Sequence, residues 1–177
     1  RLQNLKLKTM GNRKLSLISQ NLAELLVKQV AHKLKNFNLY KSYANYFSIE
    51  GINDLSDYYN KRASEELLHH QWIIDYLTDA DIKFMYPAID QNTEKYEDYV
   101  TPFKQTVERE IQTTGMIYVI YEAAGSDKDY MTCSWLYEKL IKEQIEEENT
   151  SRAAIDIIEQ DSDIYHRAEQ IKDLLTY

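Results

Sequence analysis

The sequence predicts an all-α fold: four long helices packed as a bundle, one long crossover connection, and a short fifth helix at the C-terminus. Three observations carry this. Only four Gly and two Pro occur in 177 residues, which leaves long uninterrupted stretches. Along those stretches apolar side chains recur at spacings of three and four. Turn-forming clusters fall at only a few places, with one long aperiodic segment among them. The chain is one domain in length, enough to bury about two thirds of its unfolded surface. A single cysteine, Cys133, excludes an internal disulfide framework and suits a reducing compartment. No apolar run approaches the roughly 18 residues of a spanning helix, and there is no basic-plus-apolar leader, so a cytoplasmic protein with no membrane partner is expected. The sequence begins at Arg1 rather than Met, so the true start is not visible.

Residues 1–18 read as a basic tail and residues 19–177 as the folded domain. Ser19 is the expected N-cap of the first helix, whose inner stripe is Leu22, Leu26, Val30, Phe37, Tyr40, Ala44 and Phe47. Gly51 ends it. The second helix follows Asn53-Asp54 and runs to about Thr78, with Leu55, Tyr59, Ala63, Glu66, Ile73 and Leu77 inward. The short connection makes the two antiparallel neighbours. Residues 79–97, with Pro87 and Asn92, form the connector. Nearly 20 extended residues can cross the roughly 40 Å length of a 27-residue helix, so the third helix is expected to run parallel to the second. It starts near Asp98, tolerates Pro102 in its first turn, and places Phe103, Val107, Glu110, Thr114, Ile117 and Tyr121 inward. Gly125-Ser126-Asp127 breaks it. The fourth helix spans about Asp129 to Glu159 with Cys133, Tyr137, Leu140, Gln144, Glu147, Ala154 and Ile158 inward, and the fifth follows Asp163.

Every inner stripe contains polar or ionisable residues near its middle: Lys33, Glu66 with His69, Glu110, and Gln144 with Glu147. Buried charges cost several kcal/mol each unless paired or metal-bound, so four coincident intrusions imply one shared layer. The spacings Glu66-x-x-His69 and Gln144-x-x-Glu147 put two donors on one helical face. Carboxylate and imidazole together suit iron, manganese or zinc. A metal-free hydrogen-bonded network held by Lys33 is the other reading of the same layer. His32 and His70 read as surface or packing residues rather than ligands.

From about Ser19 to the fifth helix the chain resembles the bacterial non-haem ferritins. The strings Asn38-Leu39-Tyr40, Ala63-Ser64-Glu65-Glu66-Leu67-Leu68-His69 and Glu143-Gln144-Ile145-Glu146-Glu147-Glu148 carry the likeness. The resemblance implies a ferritin-like bundle with a ferroxidase centre. In it Glu66 is the bridging carboxylate, His69 serves the first iron, and Glu110, Glu147 and neighbouring Gln144 serve the second. Tyr40 would lie beside the site. Glu65, Glu143 and Glu146, with Glu147, match an inner-surface iron or nucleation site, and Asp127 and Asp129 fall at the turn that borders the shell channels.

Lys33 is the departure: it stands where the family supplies a glutamate to the first iron. A protonated ammonium cannot coordinate a metal. Four carboxylates balance two divalent ions, whereas Glu66, Glu110 and Glu147 are balanced by Lys33 and one. The expectation is a degenerate centre holding at most one iron, with ferroxidase activity impaired or absent, and Lys33→Glu restoring two-metal binding. The resemblance further implies self-association into a shell of 24 subunits that takes up ferrous iron for storage. Residues 1–42 carry nine basic side chains against one acid, although the whole chain is at −8. The competing function is therefore a non-storage binding or structural protein that meets nucleic acid through its basic N-terminal segment, by counterion release.

Overall fold

The structure is a computed structural model and describes residues 17–175. Helix α1 spans Gln20–Ile49, α2 Asn53–Asp79, α3 Thr101–Ser126, α4 Tyr130–Leu136, α5 Lys142–Ile158 and α6 Ile164–Asp173; a π-helical turn, Tyr137–Ile141, joins α4 to α5 into the fourth long rod. Ser19 caps α1 as expected, its hydroxyl accepting from the Leu22 amide at 3.2 Å. Asp129 and Asp163 cap α4 and α6 in the same way. Asp98 accepts from the Val100 and Thr101 amides at 2.8 and 2.6 Å, so α3 begins three residues later than the sequence suggests: Asp98 holds the turn before the helix.

Gly51 lies at φ +77°, the left-handed conformation that stops α1 and redirects the chain into α2. A Cβ there would meet nothing within 4 Å, so the strain of a substitution is in the backbone alone. Gly51→Ala should lower stability by about 1 kcal/mol, measurable as a shift in the urea midpoint at unchanged slope.

Tertiary contacts give the topology. The Leu17 amide donates to Ala80 O at 3.1 Å, which places the start of α1 beside the end of α2 and makes them antiparallel. Along α3, Phe103 packs on Tyr58, Thr113 meets His32, and Asp127 accepts from Ser19 at 2.5 Å; α3 therefore runs parallel to α2. The fourth rod runs back, from Thr132 against Tyr76 to Ser151 against Arg62. The connector that permits this parallel step is fastened along its length. Tyr86 bonds His70, Arg109 pairs with Glu94 at 2.5 Å, and the Tyr96 ring sits 5.0 Å from Tyr43. The last helix is tied back by Lys172, 2.7 Å from Asp54.

The core is divided. One apolar cluster gathers Tyr40, Tyr43, Phe47, Tyr59 and Phe103 at one end; the other gathers Leu22, Leu26, Ile73, Leu77, Ile117 and Leu136 at the opposite end. Each fully buried large side chain contributes about 1.5–3 kcal/mol, so both ends are held independently of whatever lies between. The polar layer lies between.

Two inward assignments are corrected. Tyr121 and Tyr137 are both exposed, and Phe37, Val107 and Thr114 are only half-buried. In α3 the inner face runs through Thr106, Glu110, Thr113, Ile117, Ile120 and Ala124. In the fourth rod the stripe passes Leu136, Leu140 and Gln144. Two successive four-residue steps would rotate a regular α-helical stripe by about 40° each. Here the π turn changes the register of the rod locally, a departure that a uniform helical period does not anticipate.

Candidate functional site

The layer between the two apolar clusters is built from one face of each long helix. Lys33 on α1 is 1% exposed, Glu66 on α2 and Glu110 on α3 are 0%, and Glu147 on α5 is 6%. Lys33 Nζ donates to Glu66 Oε1 at 3.1 Å and stands 3.5 Å from Glu147 Oε2. Burial opposes its charge, but Glu147, Glu66 and Glu110 more than offset that and hold its pKa above the ordinary lysine value. Lys33 is thus a buried ammonium, as its place on the stripe requires.

His69 comes from one turn beyond Glu66, with Nδ1 3.4 Å from Glu147 Oε1. Burial, followed by Lys33 and Arg62, lowers its pKa to about 3, so it is a neutral imidazole at pH 7. Trp72 packs against its ring at 4.9 Å, and Lys139 stands 5.0 Å over that indole. Among the described residues, Glu66, His69 and Glu147 bring potential ligand atoms within 4.8 Å of one another. Glu66 Oε2 and both Glu147 oxygens lack a hydrogen-bond donor. Those open lone pairs fit one cation; Lys33 already stands against two of the three residues.

Glu110 is different. Tyr40 donates its hydroxyl to Oε1, Gln144 Nε2 donates to Oε2 at 2.8 Å, and Arg62 Nη2 donates to Oε1 at 2.7 Å. Burial and the nearby Glu110 charge keep the Tyr40 phenol protonated. Arg62, 2% exposed, is the residue that sequence reasoning missed. Its position was legible: it sits four residues before Glu66 and three after Tyr59, on their face of α2. A long charged side chain on a helix is by default solvated, so the spacing alone did not mark it.

Toward the outside of the layer a pocket of about 110 Å³ is lined by Arg62, Glu65, His69, Glu143, Glu146 and Glu147. The four acids quoted for the inner-surface site are therefore together. Burial, with Glu147 adding, raises the Glu65 carboxyl above its usual range, and burial with Glu146 and Glu147 does the same for Glu143. Glu148 leaves this group and bonds Thr114 and Arg152. His32 and His70 are buried packing residues, bonded to Thr113 at 2.7 Å and to Val30 O at 3.1 Å. Asp127 and Asp129 satisfy hydroxyl and backbone donors at their turn. Residues 1–16, which carry most of the basic segment assigned to nucleic acid, lie outside the described residues. Among the described residues no helix is long and apolar enough to cross a membrane.

Fold and site together define a crossover four-helix bundle with a carboxylate- and histidine-containing central layer. The ferritin-like domain family matches residues 23–160, and the chain belongs to the ferritin family. The bacterial non-heme ferritin of Staphylococcus haemolyticus is 29% identical over 142 residues, covering 80% of this chain and 85% of its own. That of Staphylococcus aureus (strain MRSA252) is 30% identical over 132 residues, covering 75% and 79%. Among solved structures, an open pore ferritin from the archaeon Archaeoglobus fulgidus superposes with a TM-score of 0.81 at 24% identity, covering 90% of this chain and 98% of that one.

Proposed function

We propose that this chain is an iron-storage subunit of a self-assembling ferritin shell whose central site binds at most one ion and oxidises ferrous iron slowly or not at all. The carrying observation is Lys33, buried between Glu66 and Glu147 at 3.1 and 3.5 Å. Its ammonium supplies at short range the positive charge that a first iron would bring, and it cannot itself be a ligand. The relatives named bacterial non-heme ferritins support iron as the cargo, and a shell of 24 subunits follows if assembly is that of the family. Glu65, Glu143, Glu146 and Glu147 around one pocket are the groups that would collect iron for nucleation on the inner surface. Their donor set, carboxylates beside a neutral His69, suits a hard or borderline cation.

Aerobic addition of ferrous iron to the purified protein, followed by size separation and iron analysis, tests the reading. Iron should co-elute with an assembled shell, while ferric absorbance develops slowly. An assembled shell that elutes without iron would rule storage out. Glu65→Gln/Glu143→Gln/Glu146→Gln should reduce retained iron several-fold without changing elution volume; equal iron content in that variant would remove the inner acids from the proposal.

A further inference from the structure

Lys33 answers for one of the two positions that a carboxylate layer of this kind offers a metal pair; Arg62 faces the other. Its Nη2 bonds Glu110 Oε1 at 2.7 Å and lies 3.3 Å from Ser151 Oγ, while Nη1 is 4.0 Å from Glu147 Oε1 and 3.9 Å from Glu65 Oε2. The guanidinium thus reaches from fully buried Glu110 to the pocket lined by Glu65, Glu143, Glu146 and Glu147. It offers donors only and stays protonated at any pH the fold survives, so it can share a carboxylate with a metal ion only by repelling it. Glu110 is engaged at both oxygens as well: Arg62 and Tyr40 donate to Oε1 and Gln144 to Oε2. The two halves of the layer therefore differ. Around Glu66 and Glu147, three carboxylate oxygens are without a donor. Each Glu110 oxygen already has a donor.

We infer that Arg62 is a fixed internal counter-ion at the second metal position, so that Glu110 is a partner of arginine in this chain and any ion in the layer is confined to the Glu66–His69–Glu147 side. The inference deepens the proposal of a degenerate iron centre and rests on it only in treating the layer as a former two-metal site. Charge agrees. With all three carboxylates ionised, Glu66, Glu110 and Glu147 against Lys33 and Arg62 leave a single negative charge, and one divalent ion already overshoots it. The sequence-based expectation that Lys33→Glu alone restores two ions took no account of Arg62. With Arg62 in place, that variant recreates one position and leaves the other filled.

Zinc is the probe, because it is redox-inert and accepts the same carboxylate and imidazole donors at about 2.0–2.2 Å. Anomalous diffraction at the zinc edge on the full-length Lys33→Glu variant should show one ion against Glu66 and His69 and none at Glu110. Lys33→Glu/Arg62→Gln should add a second ion against Glu110. Zinc at Glu110 in the single variant overturns the inference, as does its absence there in the folded double variant. The double variant buries four carboxylates without a cation, so it is to be refolded with zinc present. Should it fail to fold even then, the single variant decides: zinc at Glu110 overturns the inference, and zinc confined to Glu66 and His69 supports it. Failure of the storage proposal is read separately, as wild-type shells without iron, and leaves the zinc positions unaffected.

Discussion

Arg62→Met destabilises the folded chain by about 3–5 kcal/mol, the expected cost of removing one partner from a buried ion pair. Methionine keeps the length and most of the volume of the arginine stem, so little of the loss comes from a cavity. What changes is Glu110, which is fully buried and loses the one direct ionic partner it has among the described residues. Tyr40 and Gln144 still donate to it, but two neutral donors replace neither the charge nor the charge-assisted bond at 2.7 Å. Glu147 also loses a cation 4.0 Å away, which leaves Lys33 alone against three carboxylates. A second variant separates the pair from the packing. Arg62→Met/Glu110→Gln removes both charges while the amide oxygen still accepts from Tyr40, and it should recover most of the loss. Urea unfolding of wild type, both single variants and the double, at one protein concentration, gives the coupling energy, expected at 2 kcal/mol or more by analogy with other close charge pairs. The concentration must be held fixed because assembly adds to apparent stability. A single Arg62→Met variant within about 1 kcal/mol of wild type would show that Glu110 does not depend on arginine, and the account of the layer would fall with it.

The contrast between Lys33 and Arg62 shows what a helical sequence does and does not disclose. Lys33 was legible because the Asn38-Leu39-Tyr40 segment fixes the register of α1, and the register puts residue 33 on the inner face. The stripes of α1 and α2 were readable for the same reason: long regular helices repeat their inward positions at three and four, and Ser19 and Gly51 mark the ends. Arg62 sits on an equally regular face, yet nothing local says that its charge is satisfied inside. That depends on Glu110 and Ser151, 48 and 89 residues away in the chain. Tyr137 was misplaced by a different failure. It is exposed at the first residue of the π turn Tyr137–Ile141, a departure from 3.6 residues per turn that has no dependable sequence signature. The grouping of Glu65, Glu143 and Glu146 was open to sequence reasoning only through resemblance, because it joins two helices whose pairing the crossover decides.

Between pH 7 and pH 5 the folded chain loses about 2 kcal/mol of stability through His32 alone. This imidazole is buried against Thr113, and burial, then Lys33, then Arg109 lower its pKa to about 4 from an ordinary 6.5. The sign follows from which state takes up the proton. The unfolded chain protonates His32 below pH 6.5 and the folded chain does not until about pH 4, so the contribution is complete above 6.5 and is lost as pH falls toward 4. Each pKa unit is worth about 1.4 kcal/mol, which puts the full loss near 3 kcal/mol. His69, lowered to about 3, acts in the same direction. Glu65, Glu66 and Glu143 act oppositely, because burial raises their carboxyls and the folded state gains protons more readily than the unfolded one. The total slope therefore mixes signs, and His32 has to be isolated by difference. His32→Gln keeps an amide within reach of Thr113 and does not titrate, so the stability of wild type relative to this variant should fall by about 2 kcal/mol on going from pH 7 to pH 5. A difference that stays constant across this range would show that His32 is not held neutral by the fold. Lys33→Glu should raise the His32 pKa, because the cation that lowers it most becomes an anion, and the same pH window should then show a smaller loss.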